Sequence, residues 1–424
     1  MSLREWISWL KDFIRERYVI VSLLVLCVFI FPDYLSPVFA IASLIAAAGE
    51  VRGKKPFFSV RGSGLLLLLF IADIALTVIY SISRISSLLT ALLWLGMFSI
   101  YFALRAVITD SERFRRFMQL LTLCVGLLGL IACFQYLACE VFGADKKLLH
   151  FWCFLDEAVS KIYPLRSYQD DIRVASTFMN PNIFAEVMVA LLPLCYYAVG
   201  KAKHAGTKNL FIICIIVGTI GTAFSFSRTG YFCIFVLMIL TLIFITKRLS
   251  RHQSILLVTL FIISILLVFF TPNLFMDRIM RLHYGDASLQ YHLLEWKNAL
   301  EAISHRFLYG YGAGAGVSQA VMHSHGLDVL HSHNLILELL LEGGIPMLAL
   351  YCAVVVKTLN NQIVYMYRWR KNNLLGFCLF SAIIMLMIFG FTDYPLLTPG
   401  LIGSFILIIT LSDISMDLFM FSGS

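Results

Sequence analysis

The chain has 424 residues, of which 60% are hydrophobic and only 14% charged, with a mean hydropathy of +0.86. That is more apolar surface than one water-surrounded core can hide, so a soluble globular fold is excluded and lipid is the solvent. The net charge of +8 reads as an orientation signal and an attraction to anionic membrane lipids, and it calls for no nucleic-acid partner.

In hydrocarbon every backbone donor and acceptor must be satisfied within the chain, and a helix of about 20 apolar residues does this while crossing the core. The sequence therefore reads as an all-α polytopic membrane protein of about 12 transmembrane helices with two long outer loops. Residues 1–17 hold Arg4, Lys11, Arg15 and Arg17 among tryptophans and aliphatics. No small-residue cleavage site follows, so they read as an interfacial helix and not as a removed signal peptide. Twelve apolar runs then begin near Tyr18, Tyr34, Gly64, Ile85, Phe117, Asn182, Asn209, Thr229, Ile255, Asn334, Leu374 and Leu396. The first two are short, and Phe31-Pro32-Asp33-Tyr34 between them enforces a turn, which makes a tight helical hairpin. The organisation is then helices 1 to 5 within 1–142, an outer loop at 143–181, helices 6 to 9 within 182–271, a longer outer loop at 272–333, and helices 10 to 12 within 334–424.

Placing the N-terminus inside puts 22 Lys and Arg on the inner segments. The short outer turns then carry only Arg84 and Arg228, and the other nine basic residues fall in the two long loops, which the positive-inside rule does not count. Both termini are expected to be cytoplasmic. Most of the ten cysteines fall inside spans, where cysteine acts as a small apolar residue. Cys139 and Cys153 lie near the outer surface, where an oxidising compartment would permit a bridge.

Polar residues concentrate in the outer loops, where function is expected. The first loop ends in Arg173 and then Asn180-Pro181-Asn182, a turn followed by a cap for the sixth span. Between the seventh and eighth spans, Ser225 to Gly230 is so short that Arg228 must sit at the outer boundary. A boundary arginine either snorkels to water or binds an anion, and two outer arginines that converge suit phosphate oxygens. The glycine string at 310, 312, 314 and 316 lacks the preceding strand, the following helix and the Gly-Lys-Ser end of a nucleotide loop, so it reads as a closely packed flexible loop.

Four histidines and an aspartate follow within 11 residues, from His323 to His333. They suggest zinc, but Asp328 stands one position late for the His-x-His-x-Asp-His hydrolase pattern and His331 follows it by three residues. His333 directly precedes the tenth span, so its imidazole is fixed at a membrane mouth, where it either accepts a proton near neutral pH or makes a structural hydrogen bond. In the tenth span, Gly343, Gly344 and Pro346 predict a kink near Gly344. Glu338 and Glu342 share a face there, and either bond neighbouring helices or line a polar cavity.

Together, Arg173 to Ala185, Ser227 to Gly230 and His333 to Gly344 resemble the O-antigen ligase and polymerase family of bacterial surface-glycan enzymes. Asn334 and Gly344 stand at the family's spacing, while Met347 departs from its usual Gly, Thr or Tyr and leans toward a polymerase. Where the family's outer-loop stretch places an arginine four residues before Trp296, this chain has His292. Arg278, Arg281 or a protonated His292 would take over that phosphate contact. The resemblance runs from about Arg173 to Pro346.

It implies a multi-helix glycosyltransferase of the bacterial cytoplasmic membrane with its active site on the outer face. It needs no cofactor and no metal, and it inverts the anomeric carbon. The donor would be a glycan on undecaprenyl diphosphate, the acceptor a saccharide or glycolipid hydroxyl, and the further partners membrane lipids and other surface-polysaccharide assembly proteins. His333 would be the catalytic base, Arg173, Arg228 and His292 would bind the diphosphate, and Asn182, Asn334 and Gly344 would support them. The contrasting reading is a polysaccharide or lipid transporter or flippase. Against it, the two halves show no repeat symmetry and the polar residues gather on one side instead of the midplane.

Overall fold

A computed structural model describes residues 16–31, 33–49, 60–144, 173–246, 287–368 and 373–419. Residues 1–15 of the expected interfacial helix, the run from Ile255, most of the first outer loop with Cys153, and Arg278 and Arg281 lie outside the described residues.

The described residues form helices and their connections, with no strand among them. In chain order they are α1 (Arg17–Ile30), a short 3-10 turn (Asp33–Leu35), α2 (Ser36–Ala48), α3 (Ser63–Tyr80), α4 (Arg84–Val107) and α5 (Ser111–Tyr136). A π turn (Leu137–Val141) extends α5. Then come α6 (Pro181–Gly200), α7 (Ala205–Ala223), α8 (Arg228–Thr246), α9 (Ala287–His305), α10 (Ala315–Ser324), α11 (Leu335–Arg368), α12 (Leu374–Phe389) and α13 (Pro399–Phe419). Eight are long and apolar enough to cross a membrane, namely α3 to α8, α11 and α13. The apolar helices α1, α2 and α12 are shorter. Helices α9 and α10 belong to the long loop before α11. The chain is a multi-pass membrane protein.

Burial follows from what each helix offers its neighbours. In α13, Leu401 to Ile414 are buried on every side, and α6 is buried nearly throughout, so these two form the centre. Around them, α5 and α7 cross at glycines: a Cβ on Gly129 would meet Gly218 Cα at 2.5 Å, and one on Gly221 would meet the Gly129 carbonyl oxygen at 2.7 Å. Lipid gives helices no hydrophobic reason to associate, so backbone approach at small residues supplies the packing.

The bundle has two distinct ends. At one, Asp413 of α13 caps α3, accepting hydrogen bonds from the Ser63 and Gly64 amides at 3.1 and 2.9 Å and from the Tyr101 hydroxyl at 3.0 Å. Asn361 of α11 donates to Ser63 Oγ, and Arg105 pairs with Asp417 at 2.7 Å. At the other end, α3 finishes at Tyr80, whose ring meets Tyr309 edge-on at 5.6 Å.

The kink expected in the tenth span falls at Gly344, with φ 67° and ψ −153°. Pro346 has no N–H to reach the Glu342 carbonyl, and the turn at Gly344 withdraws the Ile345 amide from the Leu341 carbonyl. The glycine-rich loop repairs both losses. Tyr311 N donates to Leu341 O and Gly312 N to Glu342 O, each at 2.8 Å, while Ile345 N donates to Phe307 O. Irregular backbone at the edge of a membrane is stable when protein supplies these partners.

Candidate active site

The polar residues at the Tyr80 end come from four separate stretches of chain, each held by its own local bonds. The first is the segment before α6. Gln135 of α5 grips Ser176 in both directions, its Nε2 donating to Ser176 O and its Oε1 accepting from Ser176 N, each at 2.9 Å. This holds Ser176 in left-handed backbone, φ 54°, and Asn180 then caps α6 by accepting from the Asn182 amide. So positioned, Arg173 donates through Nε to Ser225 O at 2.9 Å and through its guanidinium to Asn182 Oδ1.

Ser225 belongs to the second stretch, the turn between α7 and α8. Arg228 is the first residue of α8, as the shortness of the turn predicts. A Cβ on Gly230 would meet Ala185 Cβ at 3.1 Å, which sets the start of α8 against α6. Thr229 and Thr392 share a hydroxyl hydrogen bond of 2.7 Å. That bond joins the arginine-bearing turn to the third stretch, the connection between α12 and α13.

This third stretch carries Asp393, which pairs with the fourth, His331 to Asn334. His333 Nδ1 lies 3.3 Å from Asp393 Oδ1, His331 Nε2 lies 3.9 Å from the same oxygen, and the Tyr394 amide donates to it at 2.9 Å. His333 has left-handed backbone, φ 49°, uncommon for a residue with a side chain and characteristic of functional sites. Its amide donates to His331 Nδ1 at 3.2 Å. Asn334 caps α11 through the Ile336 and Leu337 amides and donates to Phe391 O.

Charge within this group is unequal. Burial pushes His331 down to about 4, helped by the neighbouring His333 charge. Burial works against a charged His333 too, but its hydrogen bond to Asp393 and that residue's charge hold its pKa above the ordinary 6.5. Burial would raise Asp393, yet the His333 hydrogen bond and the two imidazoles hold it down at about 2. The pair therefore has an ionised Asp393 facing Nδ1, which fixes the tautomer that leaves the Nε2 lone pair available to take a proton.

His292 sits beside this pair, its ring centroid 4.8 Å from that of His333, and its Nδ1 lies 2.8 Å from the buried Glu295. The fold thus brings His292 next to His333, while Arg173 and Asn182 meet each other at the α6 and α7 side. The two carboxylates of α11 bond neighbouring elements. Glu338 Oε2 accepts from Ser332 N and Oγ at 2.8 and 2.7 Å, and Glu342 accepts from Gly314 N and from Tyr394 Oη, each at 2.9 Å. Burial, then Glu342 and Glu338, push Tyr394 well above the ordinary value of 10, so its hydroxyl stays a donor.

The histidine-rich stretch divides. His323 and His325 end up at the close of α10, with His325 Nδ1 2.9 Å from Val321 O, while His331 and His333 join Asp393. Among the described residues, His292 with Glu295 and His333, and His331 with His333 and Asp393, are groups whose donor atoms lie within 4.8 Å of one another. These nitrogen and carboxylate donors are of the kind a divalent transition metal takes. The glycine string spends its amides on protein: those of residues 311 to 314 and 316 bond Leu341 O, Glu342 O, Thr77 Oγ1, Glu342 Oε1 and Ser86 Oγ. It braces α3, α4 and α11.

Asp393 and Glu295 have no counterpart among the expected site residues. Asp393 is the one with a visible signal: Thr392-Asp393-Tyr394-Pro395 stands between two apolar runs. Glu295 is one acid in an amphipathic helix and carries no signal before its neighbours are known.

Residues 212–352 match the family model for O-antigen ligases. The matched stretch takes in Arg228, His292, His333, Asn334 and Gly344. No curated protein matches the chain.

Proposed function

We propose that this chain, whose residues 212–352 match the family model for O-antigen ligases, transfers a glycan from an undecaprenyl diphosphate carrier to a sugar hydroxyl at the outer face of the bacterial cytoplasmic membrane. The observation that carries the reading is the His333–Asp393 pair, 3.3 Å apart, at the end of a membrane bundle where Arg173 and Arg228 also lie. The acceptor hydroxyl gives its proton to His333 Nε2 as its oxygen bonds to the anomeric carbon. The bond from that carbon to the carrier oxygen breaks, and its electron pair leaves with the diphosphate. Arg173 and Arg228 offer forked N–H donors to the charge that grows there, and His292 is placed to add a further contact. Attack opposite the leaving group inverts the anomeric carbon. Asn182 holds Arg173, while Asn334 and Gly344 set the start and the break of the helix that follows the base. No step calls for a metal or a cofactor.

The acceptor is a saccharide or glycolipid in a ligase and a second carrier-linked glycan in a polymerase. His333→Ala and Arg228→Ala in liposomes supplied with purified lipid-linked donor should insert normally and lose transfer by at least about a hundredfold. Full transfer by either removes that residue from its role. Activity should survive EDTA; loss that zinc restores would instead assign the histidine and carboxylate groups to a metal.

A further inference from the structure

Asp73 lies in the middle of α3, ten residues after Ser63 and seven before Tyr80, in an otherwise apolar span. It is half-buried, and its Oδ2 is enclosed without a hydrogen-bond partner among the described residues. Both ends of α3 are located by their contacts: Ser63 is level with Asp413 and Asn361, and Tyr80 with Tyr309. The carboxyl is therefore near mid-bilayer, where an ionisable group is costly and ordinarily pairs with another.

The surface beside it has the form of a helix-packing seam. Leu67, Phe70, Ile71, Ile74 and Thr77 turn into the bundle. On the opposite side Leu65, Leu69, Ala72, Leu76 and Ile79 are exposed, at alternating intervals of four and three residues. That is the spacing by which one helix buries a stripe against another, and Asp73 stands on its flank, where charged residues choose partners in paired helices. Lipid chains would cover the leucines and leave the carboxyl unanswered. A second copy would bring no cation to this depth, because basic residues of the described spans sit toward the ends: Arg84, Arg228 and Lys208 in first turns, Arg105 in a last turn, and Lys357 four residues before Asn361.

We propose that this face of α3 docks a transmembrane helix of a partner protein with a lysine or arginine near its midpoint, the cation pairing with Asp73 while the seam packs. The site is separate from the reaction above and does not depend on it.

The test uses the full-length chain in liposomes, labelled for energy transfer to a leucine-alanine host helix with one lysine at its midpoint. Association should exceed that of the lysine-free host and fall on the order of tenfold in Asp73→Leu, the scale of a polar contact between membrane helices. Asp73→Lys should lose the lysine host and gain one with a central aspartate, a reversal that no folding defect produces. The proposal is overturned if the lysine host binds no better than the lysine-free one, or if Asp73→Leu binds it equally. It is also overturned if the chain self-associates through this face, so that Asp73→Leu abolishes a dimer.

Discussion

Asp393 exerts an effect on His333 whose sign is fixed. A carboxylate beside an imidazole favours the protonated form, so it raises the His333 pKa, and in the proposed role as base His333 acts only when deprotonated. Transfer should therefore climb as pH rises through the elevated His333 pKa. Asp393→Asn removes the charge, so the acid limb of the pH–rate profile should move to lower pH, while the maximal rate drops about a hundredfold or more through lost orientation and basicity. An unmoved limb with a changed rate would reduce Asp393 to a packing residue. The histidine was legible in the sequence because it directly precedes an apolar span, which fixes it at a membrane boundary. Its partner, 60 positions away, was not, since only the return of α12 beside α11 brings the two together. Arg173 and Arg228 were legible for the same reason as His333: charge at a membrane boundary is conspicuous in one dimension. That Gln135 grips the backbone behind Arg173 is visible only once the helices are packed.

At the scale of the element, α11 is two helical pieces joined at Gly344. The 24 residues after the break make about 36 Å of helix, enough to cross the hydrocarbon alone, so residues 335–343 belong to the membrane boundary, where Glu338 and Glu342 tie the loops together. A Cβ on Gly344 would meet Leu308 C and O and Tyr309 N at 2.5 Å, backbone atoms that cannot swing away, and its φ of 67° is itself costly for a side chain. Gly344→Ala should cost more than about 2 kcal/mol, seen as a lower thermal midpoint in detergent, and should slow transfer by disturbing the brace under His333. Gly206→Ala, with nothing within 4 Å of its Cβ, is the control and should change neither. Glycine and proline announced the break in the sequence. The identity of the backbone that takes over the released carbonyls could not be read there, because a hydrogen bond between residues 312 and 342 depends on how the intervening α10 and the loop after it fold back.

Across the whole molecule, charge is sorted by end. Arg61 O accepts from Tyr101 beside Asp413, Arg105 pairs with Asp417, and Arg116 donates to Tyr18 Oη. These basic segments gather at the end opposite His333, so the sorting seen in the sequence is also a sorting in space. On the proposed reading, the positive-inside rule puts the end with Asp413 in the cytoplasm and His333 outside. The proposed transfer would then take place in the outer compartment, on the side of the two long loops that the rule does not count. In a cysteine-depleted background, Lys203→Cys between α6 and α7 should react with an impermeant maleimide only after the membrane is opened, and Ser324→Cys at the end of α10 should react in intact cells. The opposite pattern would place the His333–Asp393 pair on the cytoplasmic side, where the same geometry would have to act on a donor that has not yet crossed.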